Sequence, residues 1–382
     1  MTARDRTRAP ETTVAASVQD PASETTVAAR GQGRTPETPV AASGQDPAPE
    51  GRPGTPLLDV RDLRVTYRNG ERAVPAVRGV SFTLDRGQTL GVAGESGSGK
   101  STMALSLLRL LAPSAQVSGE VLFEGEDLLT ARWARLRAVR WSAASVVFQG
   151  AMSALNPVRT IGEQICEPIL LHEKVGQRAA RRRAAELLDS VGVPSRRSGS
   201  YPHEFSGGQR QRIMIAMSLA CRPDLIIADE PTTALDVMVQ AQVLELLGEL
   251  VRESGIGVIM ISHDLSVLSH MCERLAVMYA GQIAEIGPSR QLIAEPRHPY
   301  TRALGRAFPT IGDPASRLAP AGLPGDPPTP SELARLSEGR GCAFEPRCSE
   351  AVAACRTETV ELWPSGPRRE AACLRVLEGS GT

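Results

Sequence analysis

Residues 94–102, GESGSGKST, decide the fold of this 382-residue chain. They match the spacing G-x-x-x-x-G-K-[ST], with Gly94, Gly99, Lys100 and Ser101 at the fixed positions and Ser96, Gly97 and Thr102 beside them. Glycines let the backbone wrap closely, so that several N–H groups point at one phosphate. A helix starting at Lys100 adds its positive N-terminal end. Lys100 then supplies charge to the β- and γ-phosphates, and the Ser101 hydroxyl is a Mg²⁺ ligand. A flexible turn could match the spacing, but it would not need the flanks seen here. TLGVAG supplies a strand before the loop, and Lys100 to Leu111 has the pattern of a helix after it.

Two further stretches narrow the chemistry. DLIIADEP reads as a buried strand ending in Asp229 and Glu230. Asp229 is placed to hold Mg²⁺, and Glu230 to polarise an attacking water. Taken alone, an acidic pair at a strand end is as often a helix cap or a solvated turn. FSGGQRQR precedes the helical run RIMIAMSLA. Its Ser206, Gly208 and Gln209 make a second helix N-terminus able to bind an anion. One nucleotide does not need both surfaces from one chain, so a dimer is expected, with each nucleotide between the loop of one copy and the SGGQ of the other.

The rest of the chain bounds the class. Basic and acidic residues balance at 43 each, which argues against bulk binding to nucleic acid or anionic lipid. Lys100 and Lys174 are the only lysines. No apolar run reaches the roughly 18 residues of a membrane span. MTARDRTRAPETTVAAS has no apolar core of the secretory kind. A cytoplasmic location is expected, with any membrane contact made through a partner. Residues 1–55 repeat one Pro-, Ala- and Thr-rich unit (ETTVAASVQDPA, ETTVAARGQGRTP, ETPVAASGQDPAPE) and are expected to be disordered. From residue 56 strands come first, then mostly helical periodicity from Thr160 to about Ala220. Short apolar strands then alternate with helices, as in a parallel sheet covered by helices.

In order and context these motifs resemble the ATP-binding cassette of a transporter, over roughly residues 56–310. The resemblance implies an α/β P-loop NTPase: a mixed sheet core with a helical subdomain near 158–222, within a nucleotide-binding domain at 56–288. A small C-terminal extension covers 289–382. Tyr67 sits where the family stacks an aromatic on adenine. Gln149, in VVFQ, resembles the glutamine that contacts Mg²⁺ and the γ-phosphate and senses the membrane subunit. FSGGQ resembles the family signature, with Phe205 in place of the commoner Leu. TALD, ending at Asp236, resembles the loop that crosses the dimer interface, and His263, in ISHD, the histidine that holds the γ-phosphate. Singly, Tyr67 would more often be a core-facing strand residue and His263 a hydrogen-bonded strand-end histidine. His172, His203, His270 and His298 stay in that second class.

GAMSALNPVRTIGEQI, EPRHPYTRALGRAFP and a cysteine-rich end further resemble the ATPase subunits of the dipeptide/oligopeptide/nickel importer family. Gly150, where the family often has Asp, and Met238 depart from its pattern. The resemblance implies an ATPase energising di- or oligopeptide import, with nickel or another small solute as the alternative. It also implies a second, related ATPase chain, two membrane permeases and an extracytoplasmic binding protein, but no nucleic acid. Two rival classes are weighed against it. A ribosome- or DNA-acting cassette usually doubles the cassette or carries a long coiled-coil insertion, and an exporter ATPase usually lacks this extension.

The extension holds Cys342, Cys348, Cys355 and Cys373, spaced C-x5-C-x6-C-x17-C. That is looser than the tight pairs zinc favours. Four thiolates suit a [4Fe–4S] cluster, which some members of the resembled family hold at matching cysteines. Zinc, or four small buried side chains with no metal, are the other readings. No part in hydrolysis is expected of this segment. Cys166, Cys221 and Cys272 are expected in the core.

Overall fold

The computed structural model describes residues 55–69, 72–148, 154–232, 236–307, 323, 325–336 and 341–379. These belong to one compact unit, Gly51–Thr382. The repeated N-terminal segment and Gln149 lie outside the described residues.

Long strands β1 (Leu58–Asn69) and β2 (Arg72–Leu84) lead into β3 (Thr89–Ala93), the phosphate loop and helix α1 (Lys100–Leu107). There follow β4 (Ala115–Phe123), β5 (Glu126–Asp127), α2 (Trp133–Val139) and β6 (Ala144–Val147). The helical stretch resolves into α3 (Ile161–His172), α4 (Gln177–Ser190) and α5 (Gly207–Ser218). Then come β7 (Leu225–Asp229), α6 (Val237–Ser254), β8 (Gly257–Ile261), α7 (Leu265–Met271), β9 (Arg274–Tyr279) and β10 (Gln282–Pro288). The extension contributes α8 (Ser289–Ala294), α9 (Pro299–Ala307), α10 (Pro330–Leu336), β11 (Trp363–Gly366), β12 (Arg369–Ala371) and α11 (Leu374–Gly379).

Helix α1 is shorter than its apolar pattern predicts. Arg109 turns left-handed at φ 51°. The Leu110 N–H then bonds back to the Leu105 carbonyl at 2.9 Å, a closing bond that ends the helix. Neither α2 nor β6 was marked by the sequence patterns, since each is only a few residues long.

An antiparallel sheet has the order β2-β1-β4-β5, and an eight-stranded sheet the order β11-β12-β10-β9-β3-β8-β7-β6. The run from β9 to β6 is parallel. Its strands are mostly apolar because both faces are buried. Alternate side chains serve different cores: Ile226, Ala228, Val258 and Met260 pack on one face, and Ile227, Ile259 and Ile261 on the other. The second core also holds Met103, Ala104 and Leu107 of α1 and the inner face of β1–β2. Arg78 of β2 ties the two sheets together. It is buried, and its side chain donates to the Ala280 carbonyl and to Gln282 Oε1, both at 2.7 Å.

The C-terminal extension is built into the main sheet, where β12 pairs antiparallel with β10 and β11 with β12. A buried ion pair fastens it, Arg369 Nη2 to Glu285 Oε1 at 2.7 Å, and Glu285 also accepts from the N–H groups of Arg297 and His298 at 3.0 Å. Cys166, Cys221 and Cys272 are core residues, as expected.

His298 is fully enclosed beside this pair. Its Nδ1 accepts from the Tyr300 N–H at 3.0 Å, and its other N–H donates to the Ala372 carbonyl. Burial pushes its pKa down to about 4, aided by Arg302 and opposed by the Ala372 bond. The unfolded imidazole therefore takes up a proton near 6.5 and the folded one only near about 4. Stability is full above that window and falls as pH drops through it, by up to about 3 kcal/mol for this one group. Thermal melts from pH 7 to 4 should show this slope, and His298→Asn, which keeps an acceptor but cannot titrate, should flatten it.

Candidate nucleotide site

Register places the motifs on one edge. Ile261, the last residue of β8, pairs with Val92 on one side and Asp229 on the other. The phosphate loop, the acidic pair and His263 therefore leave three adjacent parallel strands at the same end. Ligands gather at such strand ends in open α/β sheets.

The loop turns through left-handed backbone at Gly94, Gly97 and Gly99, with φ of 150°, 77° and 99°. At Gly94 a side chain is also sterically barred, because a Cβ would stand 2.2 Å from the Met278 carbonyl oxygen. Lys100 is buried and its Nζ donates to the carbonyls of Gly94 and Glu95, both at 2.8 Å, with Ser98 Oγ at 3.4 Å. Burial lowers its pKa, and the carboxylates of Glu230, Asp229 and Glu95 oppose that shift. The ammonium is thus held by its neighbours at the mouth of α1.

Ser101 Oγ donates to Asp229 Oδ1 at 3.0 Å. Burial raises the Asp229 pKa, Ser101 and Lys100 lower it, and Glu230 adds like-charge repulsion. A hydroxyl and a carboxylate oxygen in contact are the hard oxygen donors that fit Mg²⁺. Glu230 is a non-glycine residue at φ 44°, and its N–H bonds to the Ile261 carbonyl at 3.0 Å. Such backbone costs about 1–3 kcal/mol and gathers at functional sites. Glu230 Oε1 lies 3.9 Å from His263 Nδ1. The Tyr67 hydroxyl is 3.4 Å from Thr102 Oγ1, beside the loop, and Ser96 is exposed on it.

The expected second anion-binding surface is a formed helix start. Ser206 caps α5 and makes a reciprocal box with Gln209: Ser206 Oγ accepts from the Gln209 N–H at 3.3 Å, and Gln209 Oε1 from the Ser206 N–H at 3.2 Å. Gly208 lets α6 approach, since a Cβ there would meet Val239 Cγ1 at 2.4 Å. Asp236 caps α6 and accepts from the Val239 N–H at 3.0 Å. Ser206 and Asp236 face solvent, and both belong to this α5–α6 corner.

Two residues that touch the loop, Tyr300 and Arg347, carried no nucleotide-site signal in the sequence. The Glu95 N–H donates to the Tyr300 hydroxyl at 3.0 Å, and the Glu95 carboxylate pairs with Arg347, which also reaches the Tyr279 hydroxyl at 3.2 Å.

The four extension cysteines lie near one another. Burial pushes the Cys342 thiol up to about 11, the Phe344 N–H pulls it down, and Cys373, Cys355 and Cys348 push it further up. The expected [4Fe–4S] site is nonetheless not supported as a formed centre. Among the described residues no group of three or more His, Cys, Asp or Glu is arranged to hold a metal ion.

Comparison with known proteins agrees with the geometry. Residues 77–233 match the ABC transporter family, and residues 284–355 the oligopeptide/dipeptide transporter C-terminal region. The chain is 43% identical over 329 residues to the oligopeptide transport ATP-binding protein OppD of Salmonella typhimurium, covering 86% of this chain and 96% of that one. It is 49% identical over 303 residues to a putative peptide import ATP-binding protein of Brucella abortus, covering 78% and 89%. Among solved structures, the dimeric post-hydrolysis cassette MJ0796 bound to ADP and Pi aligns with TM-score 0.56 and 30% identity, over 61% of this chain and 99% of that one. With its phosphate loop, acidic pair and histidine on one sheet edge, this chain belongs to the ABC transporter ATPases that carry the oligopeptide/dipeptide-type C-terminal region.

Proposed function

We propose that the chain energises import of di- or oligopeptides, binding Mg-ATP at the interface of two cassettes and passing closure and hydrolysis to membrane permeases. The observation that carries the hydrolytic part is the convergence of Lys100, the Ser101–Asp229 contact and Glu230 with His263 at one sheet edge. The peptide part is supported by the matched C-terminal region and the names of the curated relatives.

Each residue has a role in this reading. Lys100 and the loop N–H groups take up phosphate charge, and Ser101 and Asp229, with Gln149, hold Mg²⁺. The metal, when bound, neutralises charge developing on the phosphate oxygens. Glu230 accepts the proton of the attacking water, and His263 orients the γ-phosphate across the gap between them. Tyr67 receives the adenine. Ser206, Gly208, Gln209 and Asp236 meet the nucleotide of the second cassette. Solvent exposure of Ser206 and Asp236 supports that assignment, as does the dimeric state of MJ0796. Catalysis is then positioning and electrostatics rather than covalent chemistry.

The functional division falls at 288/289, where β10 ends, with the helical subdomain at about 158–222. The partners are a second, related ATPase chain, two permeases and an extracytoplasmic binding protein. The chain sits peripherally on the cytoplasmic face of the membrane. No described helix is long and apolar enough to cross a membrane. Purification of the full chain with its membrane partners, followed by ATPase assays with peptides or nickel at the binding protein, tests this reading. Stimulation by peptides is expected. Stimulation by nickel alone would move the assignment to the alternative cargo, and co-purification with ribosomes would overturn it.

The finer cofactor reading is a [4Fe–4S] cluster on Cys342, Cys348, Cys355 and Cys373. Its support is the donor set. Burial raises the thiols of Cys342, Cys348 and Cys373, and backbone N–H groups of Phe344, Glu350 and Arg375 directed at the three sulphurs offset part of that rise. Anaerobically purified protein should be brown and contain iron. A colourless, iron-free preparation would sink this reading without touching the ATPase.

A further inference from the structure

We propose that Arg347, in the cysteine-bearing extension, is a positioning residue for ATP binding that holds the phosphate loop in shape by gripping Glu95. This role presupposes the nucleotide site described above. The two residues lie 252 positions apart in the chain. Arg347 Nη1 donates to Glu95 Oε2 at 2.7 Å and Nη2 to Glu95 Oε1 at 2.9 Å, a two-pronged guanidinium–carboxylate pair. Such pairs fix orientation as well as energy. This one is sheltered, with side-chain exposures of 5% for Arg347 and 20% for Glu95.

The surroundings make the grip rigid. The Arg347 guanidinium carbon lies 5.7 Å from the Tyr279 ring centre and 5.9 Å from that of Phe344. Tyr279, Tyr300 and Phe344 form a mutual aromatic cluster with centroids 4.6 to 5.3 Å apart. That cluster joins β9 to both halves of the extension. Tyr300 also accepts the Glu95 N–H. Glu95 is therefore held by the extension at its side chain and at its backbone.

Glu95 is the second residue of the phosphate loop, and its carbonyl accepts from Lys100 Nζ at 2.8 Å. Fixing Glu95 sets where the Lys100 ammonium is presented. It also keeps the Glu95 carboxylate on Arg347 and away from Lys100, whose charge already feels it. Without Arg347, a carboxylate inside the loop is left to compete with phosphate for that single lysine. ATP binding should suffer, whereas the water-activating residues, just after β7 and β8, are untouched.

The full-length chain tests this with steady-state ATPase kinetics and fluorescent-ATP titration. Arg347→Met should raise KM and Kd for ATP on the order of tenfold, the scale of one lost charge-assisted contact, with kcat within about twofold. Adding Glu95→Gln to that variant should recover most of the loss, because the competing carboxylate is gone. A purely structural role predicts no such recovery. If Arg347→Met does not fold, Arg347→Lys keeps the charge and the stem but not the two-pronged grip, and should show an intermediate KM. Unchanged ATP binding in Arg347→Met, or in Arg347→Lys where Met does not fold, overturns the role, as does failure of Glu95→Gln to rescue. Lys100→Ala run alongside separates the causes. If it too binds ATP normally, the nucleotide site is misassigned, whereas loss in Lys100→Ala alone removes only Arg347.

Discussion

Glu230→Gln is expected to stop turnover while leaving ATP bound. The substitution preserves size and can keep the left-handed backbone at φ 44°, so the strand end should not move. What is lost is the proton acceptor facing His263 across 3.9 Å. Removing a positioned general base costs typically about 100- to 10,000-fold. The ATPase rate should fall within that range. ATP affinity should hold or rise, since one negative charge leaves the neighbourhood of Asp229 and the phosphates. In the presence of ATP the variant should also collect as a closed dimer, measurable by light scattering. Turnover at the wild-type rate would remove Glu230 as the base.

Lys100→Ala should have the largest effect on binding. The ammonium is buried, bonds two loop carbonyls at 2.8 Å, and is the counter-charge to Glu230, Asp229 and Glu95. Its removal leaves those carbonyls and carboxylates facing the incoming phosphates. Losing one partner of a buried charged network costs about 3–5 kcal/mol, or at least a hundredfold in affinity. Nucleotide titration should show that loss and ATPase activity should vanish with it. Retained full ATPase would overturn the phosphate-loop assignment. Together with the Arg347 variants, this orders the residues: Lys100 binds phosphate, Glu230 acts on water, and Arg347 keeps Glu95 from interfering.

The chain by itself determined most of what depends on local backbone. GESGSGKST was legible because its glycines answer a steric demand within a few residues, with the Cβ of any other residue at Gly94 meeting a carbonyl. FSGGQ was legible because a Ser and a Gln three residues apart cap a helix at once. LIIAD was legible as a doubly buried strand with an acid at its end. The same logic misjudged the length of α1, where the apolar pattern ran past a left-handed Arg109.

Only the tertiary structure decided which segments share an edge and which charges meet. Ile261 lies between Val92 and Asp229 through sheet register, which no local pattern encodes. Arg347 is one arginine in an arginine-rich chain, and nothing near it in sequence marks Glu95 as its partner. Arg369 and Glu285 likewise meet across a β10–β12 pairing of a three-residue strand too short to be read beforehand. Local conformational preferences act over one or two turns of chain. The buried ion pairs that bind the extension to the nucleotide loop and to the sheet arise only once the fold excludes water from both partners.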